Sequence, residues 1–203
     1  MKLLNHATSP FGRKVIVACL ERSITFEEQF VDTSKAGPLD EFNPLRQIPT
    51  LVLDGGQAIF DSGVILTYLD SVHRGAPLLP ANDRLEILTR ARLGDGLMES
   101  VLQRIMEVRR PATEKSEAFI LKMEDRIWRV LERISAVVKS LTGEPLRTDQ
   151  ITIACALEYV DFRFTSGWRE KFPGTAAWLT GMSVRSSMVA SSPQRTGPLS
   201  AGG

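Results

Sequence analysis

A mixed α/β half followed by an all-α half is the architecture this chain of 203 residues predicts. Three observations point to it. Strand-like and helix-like patterns alternate up to about residue 72; a Pro/Gly-punctuated stretch, Arg74-Gly75-Ala76-Pro77-Leu78-Leu79-Pro80-Ala81-Asn82, follows; beyond it only helical spacing remains. The expected bounds are 1–76 for the α/β part, 77–86 for the linker and 87–203 for the helical part.

Each element has a local cause. Residues 2–6 are short and strand-like, and Phe11, Val15, Ala18, Cys19 and Arg22 then fall at helical spacing over 10–22. Ile24 to Val31 reads as a second strand, and Gly37-Pro38 opens a short helical stretch that ends near Asn43-Pro44. Pro49-Thr50-Leu51-Val52-Leu53 and Gln57-Ala58-Ile59-Phe60 flank Asp54-Gly55-Gly56, a hairpin signal. Asp61-Ser62 starts another helix, with Val64, Ile65, Tyr68, Leu69 and Val72 expected on one face, which completes the order βαβαββα. In the second half a helix is expected over 84–110, carrying Leu85, Leu88, Leu97, Val101 and Val108 and ended by Pro111. Ile120 to Leu141 keep a three-four spacing opposite a charged face; helices over 150–165 and 174–185 follow, and the Ser/Pro/Gly-rich tail from Ser191 is expected to be loosely held.

Bulk properties exclude several classes. A formal charge of +1 speaks against a dedicated nucleic-acid or anionic-membrane surface, so Arg13-Lys14 and Arg109-Arg110 are expected to be solvated surface charges. No apolar run is long enough to span a bilayer, and the N-terminus lacks a signal-peptide core, so a cytoplasmic protein is expected. Cys19 and Cys155 lie far apart in apolar helical patterns and read as core residues; His6 and His73 share no metal-ligand spacing, so no metal is assigned. His6 is expected to pack rather than act as a base.

Three segments carry chemistry. In Thr8-Ser9-Pro10-Phe11, Ser9 is a candidate N-cap with Pro10 at N1, so a hydroxyl and a helix N-terminus face the end of a strand, where a thiolate would be stabilised. Gln47-Ile48-Pro49-Thr50 sets a proline ahead of a strand, where Ile48 could pair with an extended peptide. Asp61-Ser62 offers a second capped helix start, able to receive a carboxylate at Ser62 while Asp61 pairs an ammonium. A thiol, a peptide backbone and an α-amino-acid head are the parts of glutathione.

With Ser9-Pro10-Phe11 and Arg13-Lys14-Val15, Asn43-Pro44, Ile48-Pro49-Thr50-Leu51, Asp61-Ser62, the linker and the helical remainder, the chain resembles the cytosolic glutathione transferase superfamily over essentially its full length. That resemblance implies a thioredoxin-like N-terminal domain, an all-helical C-terminal domain, a cis Pro49 and a homodimer. It also implies Ser9 as the group orienting the thiolate, Ile48 as partner of the cysteinyl backbone, Asp61 and Ser62 at the γ-glutamyl end, and Lys35 and Gln47 as candidates for the glycyl carboxylate. Many relatives cap the sixth helix with Ser/Thr followed three residues on by Asp; here Cys155 stands at the acidic position, so the cap is expected on Thr152 or Asp149.

Glutathione would be a co-substrate rather than a resident cofactor. Lowering a thiol pKa from about 8.5 to about 6.5 takes roughly 2.7 kcal/mol of preferential thiolate stabilisation, within reach of a hydroxyl donor plus a helix N-terminus. The thiolate would attack a small apolar electrophile held against Phe11, Met98 and Leu102. Serine at position 9 cannot form a mixed disulfide, which favours transfer over thiol reduction. The competing function is a binding or stress-regulatory platform on the same fold, without useful turnover.

Overall fold

The computed structural model describes residues 1–164, 167–195 and 197–201. Strands β1 (Lys2–Asn5), β2 (Phe26–Phe30), β3 (Thr50–Val52) and β4 (Ala58–Phe60) form a mixed sheet with a two-residue strand β5 (Ser200–Ala201), in the order β4-β3-β1-β2-β5. β1 and β2 run parallel with Leu4 opposite Gln29, as the intervening helix α1 (Pro10–Glu21) requires. β3 and β4 are an antiparallel hairpin closed at Gly56, whose φ of 84° suits a residue without Cβ. The thioredoxin-like unit is completed by α2 (Pro38–Phe42) and α3 (Ser62–Val72).

On α3 the buried apolar stripe is Ile65, Leu66 and Leu69; Val64 and Val72, expected on that face, are about half exposed. The stripe that meets α1 and the sheet is simply rotated by a residue from the one assigned.

The helical part begins at α4 (Arg84–Val108), preceded by a single 3₁₀ turn, and continues with α5 (Glu117–Val137), α6 (Thr148–Arg163), α7 (Trp168–Lys171), α8 (Pro173–Ser183) and α9 (Ser186–Ala190). α6 is the central helix: from Thr148 through Leu157 every side chain is buried. Its closeness to α4 rests on Gly94, where a Cβ would lie 3.0 Å from the Thr152 backbone. α4 turns Ile87, Leu97, Met98 and Val101 inward, whereas Leu85, Leu88 and Val108 are exposed, so only part of its predicted apolar set belongs to the core. α5 buries Ile120, Met123, Ile127, Leu131 and Ile134 at the expected spacing.

Two further expectations are corrected and a third is met in part. The start of α6 does not rest on Thr152: Arg147 is the N-cap, its N–H donates to Gln150 Oε1 at 2.9 Å, and Asp149 Oδ1 accepts the Gln150 N–H at 3.0 Å. Thr152 lies inside the helix, and Asp149, fully buried, accepts from Arg90 Nε at 2.6 Å. Arg13 and Lys14 are not solvated; both are buried, Arg13 pairing Glu158 and donating to Met188 O at 3.0 Å, Lys14 pairing Asp95 at 2.5 Å. They join α1 to α4, α6 and α9, and a lone buried charge would be costly without those partners. Nor are the described tail residues loose; 196, 202 and 203 lie outside the described residues. Arg195 pairs with Glu28 and lies over the Phe30 ring at 5.2 Å, Leu199 N–H donates to Glu28 Oε2 at 2.9 Å, and β5 pairs antiparallel with β2.

Candidate active site

One cleft of about 1110 Å³ gathers the three segments singled out in the sequence: Ser9, Pro10 and Phe11; Gln47, Ile48 and Pro49; Asp61 and Ser62. Its other wall comes from the helical part, with Glu99, Leu102, Gln103, Ile105 and Arg109 on or just beyond α4 and Tyr159 and Arg163 on α6.

Ser9 is the N-cap of α1, and its Oγ accepts the Gly12 N–H at 3.2 Å. One lone pair is thereby occupied by the helix, and the hydroxyl proton is left to donate into the cleft. The cap is held close to β1 because Gly12 sits against Asn5: a Cβ there would fall 1.8 Å from Asn5 Oδ1. Asn5 is buried and donates to Glu28 Oε1 at 2.8 Å, so it has little freedom to move aside.

Ile48 precedes Pro49 through a cis peptide bond; a second cis bond, Glu144–Pro145, has no counterpart in the sequence reading. Asn43 Nδ2 donates to Gln47 O at 2.9 Å and to Thr50 Oγ1 at 2.9 Å, which fixes the loop on either side. Among the described residues neither the N–H nor the C=O of Ile48 has a hydrogen-bond partner in the chain, so both can pair with an added strand.

Asp61 caps α3 with φ 66°, an uncommon conformation for a residue with a Cβ. Its Oδ1 accepts from Gly63 N–H at 2.8 Å and Val64 N–H at 3.2 Å, leaving Oδ2 for a cation. Ser62, the first residue of the helix, lines the same cleft.

Two expected residues lie elsewhere. Lys35 does not line the cleft: it stands in the exposed loop before α2 and pairs with Asp32 at 3.5 Å. Met98 is fully buried in the core; from α4 the cleft is lined by Glu99, Leu102, Gln103 and Ile105, of which Leu102 is partly exposed. His6 is exposed at the cleft rim, not packed inside; its Nδ1 is 3.0 Å from Thr8 Oγ1 and its ring 5.7 Å from that of Phe30. Arg109, Tyr159 and Arg163 were not foreseen as cleft residues, since nothing local to each marks it.

The thiols and the phenol follow their burial. Desolvation pushes Cys19 up to about 12 and Cys155 up to about 11, so neither is a thiolate at neutral pH. Burial also holds the Tyr159 phenol above its ordinary value, which keeps it a donor. Among the described residues no group of three or more acidic, His or Cys side chains could hold a metal, and no helix is long and apolar enough to cross a membrane.

The chain is similar to known proteins. Residues 8–72 match the glutathione S-transferase N-terminal domain model. An uncharacterised GST-like protein, YibF, of Escherichia coli K12 is 31% identical over 203 residues, covering 96% of this chain and 100% of the relative. A glutathione transferase family member from Pseudomonas fluorescens Pf-5, solved with glutathione, superposes at a TM-score of 0.89 with 35% identity, over 96% of this chain and 99% of that one. The same protein solved with S-(propanoic acid)-glutathione gives a TM-score of 0.86 at 35% identity, over 96% and 100%. The fold and cleft define a thioredoxin-like domain joined to a helical one. This chain belongs to the cytosolic glutathione S-transferase superfamily.

Proposed function

We propose that the protein is a glutathione transferase in which Ser9 stabilises the glutathione thiolate for attack on a small electrophile. The observation that carries this is the convergence of the Ser9 hydroxyl, the unpaired Ile48 backbone and the Asp61–Ser62 helix start on one cleft. Ser9 O–H donates to sulfur, with the N-terminus of α1 adding positive potential. Ile48 pairs with the cysteinyl backbone, Asp61 Oδ2 takes the γ-glutamyl ammonium, Ser62 and the α3 N-terminus take its carboxylate, and Gln47 lies nearest the glycyl end. Phe11, Leu102 and Ile105 supply the apolar surface for the second substrate. The glutathione and glutathione conjugate held by the Pseudomonas fluorescens relative support the same ligand here.

Buried, neutral cysteines outside the cleft favour transfer over thiol reduction. A homodimer is part of this reading, since Val64 and Val72 on α3 and Leu85 and Leu88 on α4 leave apolar surface exposed; sedimentation of the free chain tests it. The activity itself is tested by following thiolate absorbance of bound glutathione against pH, then turnover of a generic aryl halide. Titration below the pKa of free glutathione together with turnover is expected. Binding without turnover would favour the regulatory platform, and no binding would overturn glutathione as the ligand.

A further inference from the structure

Resting on the transferase reading, we infer that the second substrate carries a carboxylate, held by Arg109 and Arg163 with Tyr159 donating beside them. These three side chains line the helical wall of the cleft, at the C-terminal ends of α4 and α6, and face the same space as Ser9 and Phe11.

The charge on that wall is not balanced from within. Its one carboxylate, Glu99, is taken by Arg92 in a two-pronged pair at 2.7 Å and 2.9 Å. Across the cleft, Asp32 is engaged by Ser34 at 2.6 Å and by Lys35, and Asp61 by the α3 backbone. Arg46, the remaining cation of the cleft, is paired with Asp40 at 2.5 Å. Among the described residues neither Arg109 nor Arg163 has an acidic partner, whereas Arg13 and Arg90, both buried, each do. Arg163 Nε is moreover buried with no hydrogen-bond partner, while its guanidinium lies over the Phe162 ring at 4.0 Å. A buried guanidinium N–H without an acceptor is costly, and a two-oxygen anion is the group its fork fits.

The apolar body of such a substrate would lie on Phe11, Leu102 and Ile105 with its acid towards the two arginines. In the reaction the thiolate sulfur supplies the electron pair of the new S–C bond, and a halide leaves with the pair of the C–X bond it vacates. The carboxylate is unchanged throughout and serves to position the carbon.

Calorimetric titration with glutathione, S-propylglutathione and S-(2-carboxyethyl)glutathione tests this, because the two conjugates differ little in length and by one charge. The parent chain should bind the carboxyethyl conjugate at least about tenfold more tightly than the propyl one, with the preference shrinking as salt rises. In Arg109→Gln/Arg163→Gln that preference should fall below about threefold while glutathione affinity stays within about twofold, which also reports an intact fold. Equal affinities in the parent, or a preference that survives in the double variant, would overturn the inference and leave the transferase reading standing. Absence of glutathione binding in the parent would overturn both.

Discussion

The two walls of the cleft are built by different means. On the α/β side the groups that line it stand at the ends of secondary structure: the cap of α1, the edge at Ile48 and the cap of α3. On the helical side they are tips of long side chains, Leu102, Arg109, Tyr159 and Arg163, from two helices far apart in sequence. On the proposed function, backbone donors placed by helix starts suit an invariant co-substrate. Side-chain tips can be exchanged without disturbing the fold, which suits the variable one.

The sharpest way to break the first wall is Gly12→Ala. Its methyl would collide with the buried Asn5 amide, and we expect a loss of about 3 kcal/mol in denaturant unfolding, with glutathione binding falling in parallel. Ser9→Ala should be next. Removing one donor to a thiolate should cost about 2 kcal/mol, seen as a rise of about 1.5 units in the pKa of bound glutathione, besides a smaller loss of stability from the missing cap. An unchanged thiol pKa would remove Ser9 from the chemistry. Asp61→Ala should cost about 1 kcal/mol of stability through the α3 cap and weaken glutathione binding, while leaving that pKa alone. On the other wall Leu102→Ala, already partly exposed, should change stability by less than about 1 kcal/mol and raise the KM of the electrophile without altering glutathione affinity. A pH series adds a control outside both walls. Glu21 is held below its ordinary value of 4.5 chiefly by a hydrogen bond from Arg185, so the stability it contributes is present above that value and is lost as pH falls through the lower folded one. Arg185→Gln should therefore flatten the acid limb of the stability profile.

The same contrast explains what could be read in advance. Ser9-Pro10 and Asp61-Ser62 are local signals, in which the cap and the helix it starts are contiguous, and the strand order follows from spacings of a few residues. Lys14 looked like a surface charge because its partner, Asp95, lies 81 positions away; only the docking of α1 on α4 buries both. Met98 and Leu102 are four residues apart on one helix and share a face, yet one is core and the other cleft, since where the two halves part depends on packing. Arg109 and Arg163 become a pair only when the ends of α4 and α6 meet.

The return of the last residues to β2 has a consequence for how the molecule behaves in a crowded solution. β2 would otherwise end the sheet with a free row of amides and carbonyls, an invitation to recruit the same edge of a second copy. A chain ending at Arg195 would keep the Arg195–Glu28 pair, its helices and its cleft but uncover that seam, so trimming there should reveal itself first as clumping, before any loss of binding.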